Sequence, residues 1–143
     1  MPIMKLLNNL PKIDQAVRQF SLKNAIYYEM GDLLIFSGFA GLDLETGKLS
    51  EGNFETHAND AIDCYQYILE SAGLSLDHVI SVRCYLKEPV TYYPMWNEVF
   101  KARFTAPYPC RTTVGANLVV GEIELEFIAA KTTRASAELI TSK

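Results

Sequence analysis

The stretch A58-NDAIDCYQYILESAGLSLDHVISVRCYL-86 changes its hydrophobic period once, beside Gly73, and that change decides the fold. Before it, Ala58, Ala61, Ile62, Tyr65, Ile68, Leu69 and Ala72 recur at three- and four-residue intervals, which places them on one stripe of an α-helix. Asn59, Asp60, Asp63, Gln66 and Glu70 lie off the stripe, toward water. Gly73 closes the helix, because the residue past a helix end adopts a left-handed conformation that glycine accepts without steric cost. After it, VISVRCYL (79–86) is β-branched, aromatic and mostly apolar, which predicts a strand buried on both faces.

On the N-terminal side, A25-IYYEM-30 and L33-LIFSG-38 are apolar runs separated by Gly31-Asp32, the pattern of a tight β-hairpin. LDLETGKLSEGN (42–53) is dense in turn formers and reads as a loop. Residues 1–23 are irregular apart from a short helical stretch around Asp14 to Phe20. On the C-terminal side a second helix is predicted from about Tyr92 to Phe104, with Pro94 in its first turn. Trp96 and Phe100 sit one turn apart on it and read as core. RTTVGANL (111–118) and EIELEFIAA (122–130) read as a final strand pair, and the tail beyond Thr132 as loose. The order β-β-α-β-α-β-β predicts an α+β fold, one mostly antiparallel sheet with two helices on one face.

In the last strand Ile123, Leu125 and Phe127 point one way and Glu122, Glu124 and Glu126 the other, by the two-residue period. The apolar side faces the helices; the glutamate side faces water or another subunit around a polar pocket. A two-residue turn at 119–120 would set Arg111 opposite Ile128 and put Glu124 on its face, roughly 13 Å away at about 3.3 Å per residue. That separation is too long for an ion pair in one chain. A pocket holding both residues needs side chains that lean inward, or parts from two subunits.

A chain of 143 residues suits one domain (1–143), with a core over about 24–131 and an extension at each end. A net charge of −4, with no basic stripe, argues against nucleic acid as a partner. Charges interrupt every apolar run before it reaches the length of a membrane span. The N-terminus is broken by Asn and Pro too early for a signal peptide, so the expected location is cytoplasmic. Cys64, Cys84 and Cys110 are odd in number and far apart, and His57 and His78 form no HxxxH pair, so neither a disulfide framework nor a metal site is expected. The histidines read as structural or exposed, and Cys110 as a small apolar filler.

Six stretches together resemble the Rid family, the reactive-intermediate deaminases also called YjgF-type proteins. They are GDLLIFSG (31–38), LDLETGKL (42–49), ILESAGLSLDHVISVRCYL (68–86), MWNEVF (95–100), PYPCRTTVGANL (107–118) and EIELEFIA (122–129). None is specific alone, but they follow in the family's order and spacing over about residues 26–130. The resemblance implies a chorismate-mutase-like α+β fold assembled as a homotrimer, its three sheets closing into a barrel with the helices outside and pockets at the subunit boundaries. It also implies hydrolysis of 2-imino and 2-enamino acids, such as 2-iminopropanoate, to 2-oxo acids and ammonia, without cofactor or metal.

By the same resemblance, the family's pocket arginine falls on Arg111, behind the proline of P109-CRTTV-114. A planar guanidinium pairs bidentately with a carboxylate, so the implied ligand is a small carboxylic acid. The family's glutamate falls on Glu124, which would position or deprotonate the attacking water. Ser37, Gly38, Asn97 and Thr113 match further ligand-contacting positions, Thr113 standing where the family often has cysteine. The Gly-Pro-Tyr-Ser-Gln type motif of catalytic members is missing from S21-LKNAIYY-28, and Asn24 takes the tyrosine's place. Two alternatives follow: a non-catalytic trimer that binds small carboxylates, which the missing tyrosine favours, and an endoribonuclease, which the acidic charge disfavours.

Overall fold

The computed structural model describes residues 3–18, 20 and 22–141. Helix α2 (Phe54–Ser71) and strand β7 (Val79–Leu86) form where the periods of 58–86 predict them. Asn53 caps α2, its side chain accepting from the Thr56 N–H at 3.0 Å. At the other end Gly73, with φ +76°, lets its own N–H reach Glu70 O and that of Leu74 reach Leu69 O, a Schellman closure. The predicted hairpin is β2 (Tyr27–Met30) with β3 (Leu33–Phe36), antiparallel in register Met30↔Leu33 across Gly31-Asp32.

Several elements depart from the sequence reading. Strand β1 (Met4–Leu7) adds to the outer edge of β2, although MKLL carries no strand period. Helix α1 spans Pro11–Arg18, three residues earlier than expected; Asp14 turns back to accept the Leu10 N–H at 3.1 Å. The end of the expected stretch at Gln19 lies outside the described residues. The 42–53 loop contains a short hairpin, β5 (Leu42–Asp43) with β6 (Lys48–Leu49), whose turn Asp43 Oδ1 closes by accepting from Glu45 N at 2.9 Å. Helix α3 spans Pro89–Arg103, so Pro94 falls inside it and Pro89 occupies its start.

The larger correction concerns the last two strands. Strand β8 (Cys110–Gly115) does not pair with β9 (Ile123–Ala130); it lies parallel to β7 at the sheet edge, and β9 inserts between β3 and β7. The six-strand path runs β1-β2-β3-β9-β7-β8, with β4 (Phe39–Ala40) continuing β3 along β9. The cause is burial. Ile123, Leu125, Phe127 and Ala129 are all fully buried, and alternate apolar positions of that depth belong under both helices, in mid-sheet. The connection crosses the end of β7, tied by Ala116 N to Leu86 O and Lys87 N to Glu122 O. In β7 only Val79, Val82, Cys84 and Leu86 are buried, so the strand is covered on one face and not two.

Tyr65 fastens α2 to the sheet. Its ring stacks on Phe127 at 4.0 Å and meets Phe36 and Phe39 edge-on. The opposite sheet face is uncovered in the single chain: Met4, Leu6, Tyr28, Met30, Leu33 and Ile35 share it and are each 43–57% exposed. Among the described residues no helix is long and apolar enough to cross a membrane.

The tail is also tied down, contrary to expectation. Arg134, 8% exposed, donates from Nη1 to Leu76 O and Val79 O, from Nε to Pro107 O and from Nη2 to Thr105 O. One guanidinium thereby locks the start of β7 to the segment leading into β8. Arg134→Met should lower unfolding free energy by about 3 kcal/mol, because buried carbonyls lose a charged donor. Urea denaturation checks this; a change within error would show that water replaces the guanidinium without cost.

Candidate functional site

The predicted site residues fall into two groups. The first is built on a β-bulge. From Ile35↔Ile128 to Phe39↔Leu125 the β3–β4 side advances four residues (35 to 39) while β9 advances three (128 to 125). The extra residue lies at Ser37-Gly38, where the ladder is interrupted. The Tyr65 hydroxyl fills the interruption, 2.6 Å from Ser37 O and 2.7 Å from Leu125 O, its one proton shared between the two carbonyls. Ser37 Oγ donates to Ala25 O and accepts from Asn24 Nδ2 at 3.1 Å.

Gly38 lies against Glu124. A Cβ at position 38 would stand 3.4 Å from both Cδ and Oε2 of that carboxylate, so glycine leaves it uncovered. The three glutamates of the row then separate. Glu122 accepts from the Tyr92 hydroxyl at 2.9 Å and Glu126 from the Tyr85 hydroxyl at 3.2 Å. Glu124 has no side-chain partner among the described residues. Burial, with a smaller contribution from the charge of Glu126, pushes its carboxyl above the ordinary value. It opens on a cavity of about 280 Å³, walled by Val17, Phe20, Leu22, Phe39 and Val119, with Asn24 at its edge.

The second group lies on α3 and β8. Arg111 Nη2 donates to Asn97 Oδ1 at 2.8 Å, and its guanidinium lies 4.0 Å over the Phe100 ring, with Trp96 beyond at 6.0 Å. Phe100 and Trp96 are core residues, as predicted, and the outer face of Phe100 serves as a platform for the cation. No carboxylate pairs with Arg111 among the described residues, so most of its donors remain available. Thr113, two residues along on the same face, borders a groove with Pro89, Tyr93 and Pro94.

The two groups do not meet within one chain. Arg111 sits in a row with Val82 and Phe127, so it shares the helix face. Glu124 sits in a row with Tyr85 and Val114, on the opposite face. The hairpin expectation that Arg111 and Glu124 share a face is overturned, because β7 stands between their strands and resets the pairing by one residue.

Cys110 is exposed on the edge strand and is not an interior filler. Cys64 and Cys84 are buried, and burial pushes the Cys64 thiol up to about 12 and that of Cys84 up as well, which leaves both protonated and inert. His78 accepts from Ser75 N at 3.1 Å and caps a turn; His57 is buried, and its Nδ1 has no partner among the described residues. The sequence reading missed the apolar wall. Its one trace was Val17 and Phe20, three residues apart in the expected helical stretch.

The description Endoribonuclease L-PSP belongs to the family profile that matches residues 14–131. A RutC family protein of Pyrococcus horikoshii is 33% identical over 103 residues, covering 71% of this chain and 81% of that protein. A 2-iminobutanoate/2-iminopropanoate deaminase of Dermatophagoides farinae is 26% identical over 87 residues, covering 61% and 67%. The crystal structure of RidA from an Antarctic Psychrobacter superposes with a TM-score of 0.70 at 32% identity, covering 76% of this chain and 89% of that one. The profile match over residues 14–131, the 33% identical relative and the shared fold show that the chain belongs to the Rid/YjgF family.

Proposed function

We propose that the protein is an imine/enamine deaminase that hydrolyses small 2-imino and 2-enamino carboxylic acids to 2-oxo acids and ammonia, at a site completed by a second copy of the chain. The observation that carries this reading is a pair of unpartnered opposite charges. Arg111, held by Asn97 and Phe100, and Glu124, held half-buried beside Gly38, each lack a counter-charge among the described residues. Arg111 would grip the substrate carboxylate bidentately. Glu124 would take a proton from water as its oxygen bonds to the carbon of the protonated imine, return that proton to nitrogen, and take the remaining hydroxyl proton as the C–N bond breaks, so that a carbonyl forms and ammonia leaves. Ser37 and Gly38 would border the reacting carbon, and Thr113 would flank Arg111. Positioning does most of the work, because an imine is already electrophilic.

Their places on opposite faces support a site whose two halves come from different copies. The exposed apolar strip from Met4 to Ile35 supports a closed assembly, since a monomer seldom leaves such a patch in water. A homotrimer, its three sheets enclosing that strip, is the assembly proposed. A second reading, a trimer that binds 2-oxo or imino acids without turnover, draws on Asn24. Its amide is engaged by Ser37 where the family's catalytic members have tyrosine.

Imine decay after an amino-acid oxidase generates 2-iminopropanoate should accelerate with wild type. Arg111→Ala should lose about 100-fold in kcat/KM, as two charge-assisted hydrogen bonds of about 1.5 kcal/mol each disappear. Binding of 2-oxo acids with no acceleration supports the second reading.

Mixing denatured Arg111→Ala and Glu124→Gln chains in equal amounts and refolding them should restore about a quarter of wild-type activity, the share of shared sites that receive one intact half from each. No recovery above the separate variants would place both groups in one chain and overturn the shared site.

Activity should rise with pH through the titration of Glu124, which must be ionised to accept the proton. Its carboxyl is raised by burial, so this acidic limb lies above the ordinary glutamate range. The stability sign follows by linkage: ionising a carboxyl whose folded pKa is raised weakens the fold. Glu124→Gln should gain stability over wild type as pH climbs from the ordinary carboxylate range through the raised value. A constant difference across that window would show that burial does not perturb the group.

A further inference from the structure

We infer that the cavity beside Glu124 receives the side chain of the substrate, and that this side chain is apolar and larger than ethyl: a 2-imino acid of the branched-chain or aromatic kind. The inference rests on the deaminase reading for the reacting end of the molecule and on the cavity for the other end. At about 280 Å³ the cavity lies near the lower end of small-molecule pockets, which start at about 300 Å³. The methyl of 2-iminopropanoate would leave most of it vacant. Its walls are aliphatic and aromatic, drawn from α1 and the segment after it (Val17, Phe20, Leu22), from β4 (Phe39) and from the loop before β9 (Val119). Such walls offer water few partners, so an apolar group displaces it at a gain.

Charge narrows the class further. Among the described lining residues Glu124 is the charged group, and no lysine or arginine faces the cavity. A second carboxylate on the substrate would meet a like charge with nothing to offset it, which excludes imino-dicarboxylates from this half. A polar side chain would find Asn24, whose Nδ2 is already committed to Ser37 Oγ and Ala25 O. Leu22 and Val119 are 56% and 97% exposed at the rim, so they contribute little to the core and present apolar surface to whatever enters.

The test compares kcat/KM for imines generated from alanine, leucine and phenylalanine by an L-amino-acid oxidase. The expected result is a preference of about tenfold or more for the leucine- or phenylalanine-derived imine, at about fourfold for each added methylene that is buried. Leu22→Asn and Val119→Asn, at rim positions outside the core, should each cut the leucine-to-alanine ratio by about fourfold. Equal rates, or a preference for the alanine-derived imine, overturn the inference and leave the deaminase reading intact. A preference that both variants preserve overturns its assignment to this cavity. If no imine is accelerated, calorimetry with 4-methyl-2-oxopentanoate and pyruvate separates the two ideas. Tighter binding of the branched acid, weakened by Val119→Asn, keeps the side-chain assignment while the reaction falls; equal or absent binding removes both.

Discussion

The hydroxyl of Tyr65 is the contact on which the site geometry depends. A sheet with one extra residue at Ser37-Gly38 turns two carbonyls, Ser37 O and Leu125 O, toward the hydroxyl of α2. Leaving them unpaired in the core would cost about 1–3 kcal/mol each. One buried phenol, delivered by the centre of α2 and clamped between Phe127, Phe36 and Phe39, answers both. With the bulge held open, Gly38 lies against Glu124 and not over it, and the cavity behind that carboxylate keeps its floor. The residues that hold this arrangement carry no reactive chemistry themselves.

A second constraint is the place of β7. Because it separates β8 from β9, residues on the outer strands are related through its register, and Arg111 aligns with Phe127 through Val82. The guanidinium is thereby sent to the helix side, where Phe100 and Asn97 receive it, and Glu124 to the bare side. Each charge is stabilised only in part. Among the described residues Arg111 has a ring face and one amide oxygen, and Glu124 has a raised pKa and no donor. In the proposed assembly these deficits are complementary, each half supplying what the other lacks.

Sequence periods revealed the elements that a local pattern determines. The stripe through Ala58 and Ile68 located α2, the Gly73 stop set its C-terminal end to within a residue or two, and VISVRCYL bounded β7. Pairing was less legible, because two strands separated by a short turn-like segment look the same whether they join each other or straddle a third. Full burial of Ile123, Leu125, Phe127 and Ala129 decides that question, and burial is a property of the whole sheet. Arg134 was invisible for a related reason: its four carbonyl partners come from two segments far apart in the chain, and no spacing brings them together. In the candidate site, Arg111, Glu124, Ser37, Gly38, Asn97 and Thr113 were legible only as a group through family resemblance. The apolar wall, assembled from a short helix and two loops, left almost no periodic trace.

Desolvation links the wall to the proposed chemistry. A carboxylate in water is a weak base, because hydration favours its charged form. Val17, Phe20, Leu22 and Phe39 remove part of that hydration around Glu124, and Glu126 on the same face repels the charge further. Both effects raise the proton affinity of Glu124 toward the range where it can accept a proton from water and give it up again. Arg111 acts in the opposite sense if a neighbouring copy brings it near, since a cation would lower that affinity. A substrate carboxylate between the two screens the cation by pairing with it. In this reading the basicity of Glu124 is greatest when Arg111 is occupied, which couples the proton transfer to the presence of the correct ligand. An apolar side chain filling the cavity adds to the same effect by excluding the remaining water.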